Sequence, residues 1–494
     1  MQDLLLLEIY KDDDSPLYVQ IVEALRARVG DGRLRPGDRL PSVRKLSDQL
    51  GVNPATIVAA YNILAREGLL EARKGSGAYI SAAAAASQPL HEAASSAEAS
   101  PLRQMVVPDS FGSAGHGQNP ARHILDLAAN APPRRLFPLA SVKKLLVEAV
   151  DIDGGKAFEY QTVNGYEPLR SALADRMSRQ RRLPVHPDTV HVVSGAQQGI
   201  DLVARVVLRR GDLAVVESPG YRGVRDVFIA AGARVEAVSV QADGLDLDTL
   251  QSLAENRPLR LVYVNPVLQN PTGIVWSEDK KTRLAEMAGR YGFYVIEDDL
   301  FSDLMYNGRP ELPVKYYDRA DMVFYIKSFS KSLMPGLRIA AVQSPVLLQE
   351  RLRIAKHSVD LSSNGLMQRV LERFLSGSLY DAHLASVQKA YQALRNDCEQ
   401  ELSAGGLPSE LWSNPLGGLN LWLRLPDYSP NAGELSRKLA EQGVLLAPEA
   451  QFRCELPPAS DRHVRLSFGS LDHNELRQAM TLLTNTLQGD YRHA

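Results

Sequence analysis

The stretch from Ala82 to about Gln118 constrains this chain more than any other feature. It reads AAAAASQPLHEAASSAEAS and later GSAGHGQ, rich in Ala, Ser, Pro and Gly and poor in apolar periodicity. Such a composition cannot bury enough apolar surface to offset its ordering entropy, so it reads as a linker. An Ala-rich helix through Ala82–Ala86 is the alternative. Either way, one hydrophobic core cannot run through the whole chain. The division predicts a small N-terminal unit (1–81), a linker (82–122) and a large C-terminal unit (123–494). With roughly 100–200 residues per domain, 494 residues suggest about three domains.

Composition excludes several classes. At 45% hydrophobic and 23% charged residues, the chain is not globally disordered. Cys398 and Cys454 are its two cysteines, which excludes a disulfide framework and a thiolate metal cluster. The histidines do not cluster at ligand spacing, so no metal site is expected. No apolar run reaches about 18 residues, so no transmembrane helix is expected. The opening MQDLLLLEIYKDDD has no basic n-region or cleavage site. A cytoplasmic location follows as the expectation. The net charge of −2 hides an uneven division, because residues 15–80 hold ten Lys/Arg and six Asp/Glu. That basic excess suits a nucleic-acid partner, although solvated helix faces carry similar balances.

Within that basic unit, Ser15 and Pro16 open a helix with Leu17, Ile21, Leu25 and Val29 at helical spacing. Ser42 caps a second helix, Val43–Leu50. Gly51-Val52 makes a turn, and Asn53 or Pro54 opens a third helix to about Gly68. Leu69 to Ile80 reads as a hairpin with Gly75 and Gly77 at its tip. Three helices and a basic hairpin make a winged helix-turn-helix, whose second motif helix fits the major groove.

The segment PGDRLPSVRKLSDQLGVNPATIVAAYNILAREGLLEARKGSGAYI resembles the GntR family of regulators. The resemblance implies contact with a double-stranded DNA operator through Arg44, through Asn53 and Thr56 on the recognition helix, and through Lys74, Gly75 and Gly77 in the wing. Many members have Arg where this chain has Pro54, so the operator sequence does not carry over.

Beyond about Ile124, apolar strand-like runs alternate with amphipathic helical stretches. Val190–Ser194, Leu213–Glu217, Arg260–Asn265, Tyr294–Asp298 and Met322–Ile326 read as buried strands. This alternation predicts an α/β fold with a parallel sheet, which binds ligands beyond the carboxyl ends of its strands. Five motifs sit at such ends. Ser194-Gly-Ala-Gln-Gln-Gly suits an anion at a helix N-terminus. Ser218-Pro-Gly-Tyr221 offers an aromatic ring after a sharp turn. Asn265 to Gly273 holds two Asn-Pro steps that make a rigid loop. Ile296-Glu-Asp-Asp places acids at a buried strand end, where they need partners. Ser328-Phe-Ser-Lys331 to Arg338 combines an amine, hydroxyls and a guanidinium, as an imine-forming lysine beside a phosphate clamp would require. Each motif alone also fits a plain turn, cap or core residue.

Their order and spacing are similar to those of fold-type I pyridoxal-phosphate enzymes, the aspartate aminotransferase superfamily, with large (about 150–350) and small subdomains. The resemblance implies the cofactor pyridoxal 5′-phosphate. It makes Lys331 the Schiff-base lysine and Asp298 the partner of the ring nitrogen. Asn270 would donate to the ring 3-oxygen and Tyr221 would stack on the ring. Ala196, Gln197, Ser328 and Arg338 would form the phosphate cup, with Tyr160 reaching it from the partner subunit. Arg465 would fork onto a ligand carboxylate. Where the superfamily usually has Tyr three residues after the ring-nitrogen acid, this chain has Phe301, which makes efficient transamination less secure.

The two halves together resemble the MocR subfamily of regulators. That resemblance implies a head-to-tail homodimer that binds DNA and senses an amino compound, or the cofactor itself, through an aldimine at Lys331. The rival reading is a working aminotransferase with an appended DNA-binding domain.

Overall fold

The computed structural model describes residues 17–30, 33–66, 69–73, 77–81, 124–308, 310–455 and 461–491. Ser15, Pro16, Lys74, Gly75 and the stretch 82–122 lie outside them. Internal contacts divide the chain into Met1–Val107 and Pro108–Ala494.

In the first unit, helices α1 (Leu17–Gly30), α2 (Val43–Leu50) and α3 (Pro54–Arg66) precede strands β1 (Leu70–Arg73) and β2 (Gly77–Ile80). The two strands pair antiparallel, from Leu70 opposite Ile80 to Arg73 opposite Gly77. The breaks between helices are chemical. Ser42 Oγ accepts the Lys45 N–H at 3.3 Å, and Gly51 ends α2 at φ 60°, where a glycine escapes Cβ strain. Asn53 Oδ1 accepts the Ala55 N–H at 2.9 Å just ahead of Pro54, which needs no partner at the first helical position. Ile21, Leu25, Leu46, Ile57, Leu64, Leu70 and Ile80 form one core drawn from all five elements. Burying each such side chain contributes about 1.5–3 kcal/mol.

The second unit is built on an eight-stranded sheet. Its strands are β4 (Val190–Val193), β5 (Leu213–Ser218), β6 (Arg234–Gln241), β7 (Gly244–Leu245), β8 (Leu259–Val264), β9 (Tyr294–Asp299), β10 (Val323–Ser328) and β11 (Ala340–Gln343). The spatial order is β4-β11-β10-β9-β8-β5-β6-β7. Side chains alternate between two cores: Val216 and Ile296 pack on one face, Val215 and Val295 on the other. All residues of β4, β5, β10 and β11 are buried, as in a sheet covered on both faces. One expectation needs correction, because the sheet is not wholly parallel. β11 runs antiparallel to both β10 and β4. The chain between β10 and β11 holds only a single 3₁₀ turn, Pro335–Leu337, and no crossover helix of the kind a parallel return needs. The short β7 also opposes β6.

A smaller three-stranded sheet joins Asn420–Arg424, His463–Ser467 and Ala447–Pro448, all antiparallel. Helices Leu379–Ala404 and His473–Tyr491 belong to the same half. Strand β3 (Leu125–Asp126) crosses to it and pairs with Val444–Leu445. This crossing brings the segment Ala128–Asn130 and the strand holding Arg465 to the ends of the large sheet.

A cleft at the carboxyl ends of the large sheet

β4, β5, β8, β9 and β10 share one direction, so the loops that follow them gather along one edge. Four groups there are buried: Asn270, Asp298, Ser328 and Arg465. Gln197, Tyr221 and Arg338 stand at the exposed rim, and Lys331 lies between.

Asp298, the last residue but one of β9, has only one side-chain oxygen satisfied. The Tyr263 hydroxyl donates to Oδ2 at 2.8 Å, while Oδ1 is buried without a partner. Burial pushes its carboxyl up to about 7, opposed by the Tyr263 bond and by Lys327 and Lys331. Lys331 is pushed the other way, down to about 8, by burial and then by Arg465. Its Nζ donates to the Asn130 carbonyl.

Arg465 is a buried cation held by neutral groups. It donates to Asn270 Oδ1 at 2.9 Å and to the Ala128 carbonyl at 2.5 Å, and its Nε has no partner. Burial lowers its proton affinity to about 10. Among the described residues it forms no ion pair.

At the end of β4 the chain turns at Gly195 (φ 96°) into helix Ala196–Val207, whose first N–H groups face the cleft edge. A Cβ on Gly195 would lie 2.6 Å from Arg338 Nη2, so only glycine lets that guanidinium lie there. Arg338 donates to the Ser194 carbonyl at 2.8 Å, from a left-handed backbone at φ 51°. At the rim, Tyr221 donates to Gln197 Oε1 at 2.9 Å. Ser328 Oγ accepts the Ser330 N–H at 3.3 Å. Tyr160 lies outside this cluster. It is 84% exposed, beside a cleft of about 350 Å³ lined by Phe158, Ser362 and Asn364. Phe301 is buried and brings no hydroxyl to the site.

Pyridoxal phosphate fits these residues. The orphaned Asp298 oxygen suits a protonated ring nitrogen, the Gly195–Arg338 cradle suits a phosphate, and Lys331 is an amine of reduced basicity for an aldehyde. Several neighbours have roles that no motif announced. Tyr263 and Asn265 both serve Asp298, the latter, the first residue of the Asn-Pro motif, by an Nδ2 bond to its carbonyl at 2.7 Å. Glu217 is buried, pushed up to about 8 by that burial, and accepts from Asn265 N and Gln269 Nε2. A buried tyrosine in a strand needs a hydroxyl partner, which was the available signal for Tyr263. Nothing in spacing marks Phe452, which lies against Arg465.

In the first unit, Arg44 and Asn53 are exposed at the starts of α2 and α3, and Thr56 is half-buried within the first turn of α3. Gly77 has φ 111° and sits beside the Arg39 side chain. Asn53 spends its side-chain oxygen on the cap of α3. Among the described residues no cluster of His, Cys, Asp or Glu could hold a metal, and no helix is long and apolar enough to cross a membrane.

Residues 122–483 match the family of aminotransferases class I and II, and residues 17–80 match the bacterial regulatory proteins of the gntR family. The probable rhizopine catabolism regulatory protein MocR of Rhizobium meliloti is 29% identical over 78% of this chain and 77% of its own length. The uncharacterized HTH-type transcriptional regulator YdcR of Escherichia coli is 30% identical over 88% of this chain and 92% of its own. A solved structure of LysN, an alpha-aminoadipate aminotransferase from Thermus thermophilus complexed with N-(5′-phosphopyridoxyl)-L-leucine, superposes with a TM-score of 0.69 at 27% identity. The match covers 80% of this chain and 96% of that one. The chain belongs to the aminotransferase class I and II family and carries a gntR-family DNA-binding domain ahead of it, the architecture of MocR-type regulators.

Proposed function

We propose that this chain is a pyridoxal-phosphate-dependent transcription regulator of the MocR type, whose aminotransferase-like body senses an amine bearing a carboxylate. The observation that carries the reading is Arg465, a buried guanidinium without an anion, in the same cleft as Lys331 and joined by one chain to a DNA reader. Pyridoxal phosphate is the cofactor of this fold family. When bound, it supplies an aldehyde that condenses with amines and a ring that withdraws electrons.

The chain's own residues define what happens around it. Lys331 would anchor the aldehyde carbon, and its lowered basicity leaves a useful fraction of free amine near neutral pH. Asp298 would hold the ring nitrogen's proton. Asn270 would donate to the ring 3-oxygen, and Tyr221 would cover the ring face. Ala196, Gln197, Ser328 and Arg338 would hold the phosphate, joined by Tyr160 from a second copy. Arg465 orients the ligand by its carboxylate and excludes amines that lack one. Arg44, Asn53, Thr56, Lys74, Gly75 and Gly77 contact the operator.

Two copies are needed for a two-site operator, and the exposed apolar Ile152 (68%) and Phe158 (67%) favour an interface with a second copy, which the likeness to MocR-type regulators would make a head-to-tail homodimer. The work is cytoplasmic. Ligand binding shifts a two-state dimer only by its difference in affinity for the two states. The test is DNA binding by the full, cofactor-loaded chain. At least one of GABA, 5-aminolevulinate, other amino acids or the bare cofactor should change affinity or half-site spacing. No change with any of them refutes the sensor.

The rival, a working aminotransferase, is favoured by the completeness of the cleft. Rapid conversion of the bound cofactor to its amine form by an amino acid would establish it. Phe301, buried where a hydroxyl is usual, weighs against that outcome.

A further inference from the structure

Arg465 is backed by an aromatic stack, with no acid at ion-pair distance among the described residues and only Asp126 acting on it from further away. Its guanidinium carbon lies 4.8 Å from the Phe452 ring centroid. Trp422 meets Phe452 edge-on at 5.7 Å, and His463 stacks on Trp422 at 5.2 Å, 3° from parallel. Phe452 is clamped on both sides. Behind it, Glu449 is buried and accepts the backbone N–H groups of Arg462 at 2.8 Å and His463 at 3.1 Å. Ahead of it, the Cys454 N–H donates to Ser218 Oγ at 3.2 Å, and Ser218 donates to the Glu455 carboxylate. The Phe452 carbonyl itself accepts the Gly220 N–H at 2.8 Å. One residue thus places its ring on the buried guanidinium and its peptide on the turn that leads to Tyr221.

We infer that Phe452 is a positioning and specificity-determining residue. It holds Arg465 ready for a ligand carboxylate, and the Phe452–Trp422 stack reports the arrival of that carboxylate. The inference rests on reading Arg465 as the carboxylate's partner. An aromatic face attracts a guanidinium without neutralising it. A carboxylate in the same place would form a finished ion pair and remove the attraction for a ligand. The ring therefore offsets part of the cost of burying the cation, while its field stays directed at the cleft.

The test uses the full chain with its cofactor and maleate as probe, a dicarboxylate with no amine to react. Maleate binding should change tryptophan emission, and Trp422→Phe should remove most of that change, leaving Trp276 and Trp412 as silent background. Phe452→Leu should weaken maleate about 10-fold, while Phe452→Tyr, which keeps the face, should stay within about twofold. Cofactor retention should be equal in both. If Arg465→Met binds maleate as tightly as the native protein, the reading of Arg465 falls and this inference with it. If Arg465→Met loses maleate while Phe452→Leu does not, the inference alone is overturned. An emission change that survives Trp422→Phe, or equal losses in the Leu and Tyr variants, overturns it as well.

Discussion

Two layers of buried charge lie one above the other in the large unit, built from the same residue types and finished to different degrees. In the lower layer every charge is met. Arg181 donates to Asp303 Oδ1 at 2.6 Å and to Ser302 Oγ at 2.5 Å. Lys327 lies 3.3 Å from Asp299 and 3.1 Å from Asp303. Tyr325 donates to Asp299, and Tyr380 to Asp303 at 2.7 Å. Two cations and two carboxylates balance. In the upper layer, one residue away along the chain, Asp298 keeps a bare oxygen and Arg465 a bare Nε. Asp298 and Asp299 are sequence neighbours on opposite faces of β9, so strand pleating alone separates the two environments. The lower layer holds shape, and the upper one holds unsatisfied capacity that a ligand can fill.

The largest expected effect breaks the lower layer. Asp303→Asn leaves Arg181 and Lys327 sharing one carboxylate, and removing one partner of a buried pair costs about 3–5 kcal/mol. The unfolding free energy should fall by that amount, and the denaturant midpoint with it, whether or not cofactor is present. A variant of native stability would show that the lower layer is not a structural lattice.

The same neighbours should respond oppositely to pH. Burial alone would raise Asp299, but Lys327 and Arg181 hold it below the usual carboxylate range. Its contribution is present above about pH 4 and lost as pH falls from there. Asp298 is raised from 3.8 to about 7, so the folded state binds more protons than the unfolded one between those values. Stability of the cofactor-free protein should therefore decline as pH rises from 4 to 7, by up to about 4 kcal/mol from this group. Asp298→Asn should remove that part of the slope, raise cofactor-free stability at pH 7.5, and weaken cofactor binding about 10- to 100-fold. If the slope is the same in Asp298→Asn, the carboxyl does not carry the unmet charge assigned to it.

Much of the upper layer was legible because cofactor chemistry forces residue types into short motifs. Lys331 among hydroxyls, Asn270 between prolines and Asp298 at a strand end each announce themselves. The lower layer was not legible. Arg181, Lys327 and Tyr380 are joined only by folding, and each reads in sequence as an ordinary helix or strand residue. The helices of the N-terminal unit were plain from Ser42, Gly51 and Pro54, whose conformational preferences act locally. The reversal of β11 was hidden because a strand's direction depends on what the loop before it can span. Phe452 was hidden for a third reason: its role lies in a contact with Arg465, thirteen residues on and in another element.

The smallest expected effect lies at the joint between the finished and unfinished layers. Tyr263 donates one hydrogen bond to Asp298 Oδ2, and burial and nearby carboxylates push its own hydroxyl well above its usual range, so it remains a donor. Tyr263→Phe removes that bond and keeps the ring in place. The ionised carboxylate loses a donor, so Asp298 should be protonated still more readily, and less of it stands ionised opposite a protonated ring nitrogen near neutral pH. A hydrogen bond to a charged group contributes about 1.5–3 kcal/mol, which sets a loss of cofactor affinity of roughly 10- to 100-fold as the ceiling. The buried Oδ1 is untouched, and it is the oxygen free for the ring, so the observed loss should fall well below that ceiling, at about 3-fold. The measurement is cofactor affinity and the pH dependence of its bound absorbance, compared between native and Tyr263→Phe proteins. A loss equal to that of Asp298→Asn would mean that the tyrosine, and not the bare carboxylate oxygen, governs the ring. In that case the upper layer is organised from behind, as the lower one is.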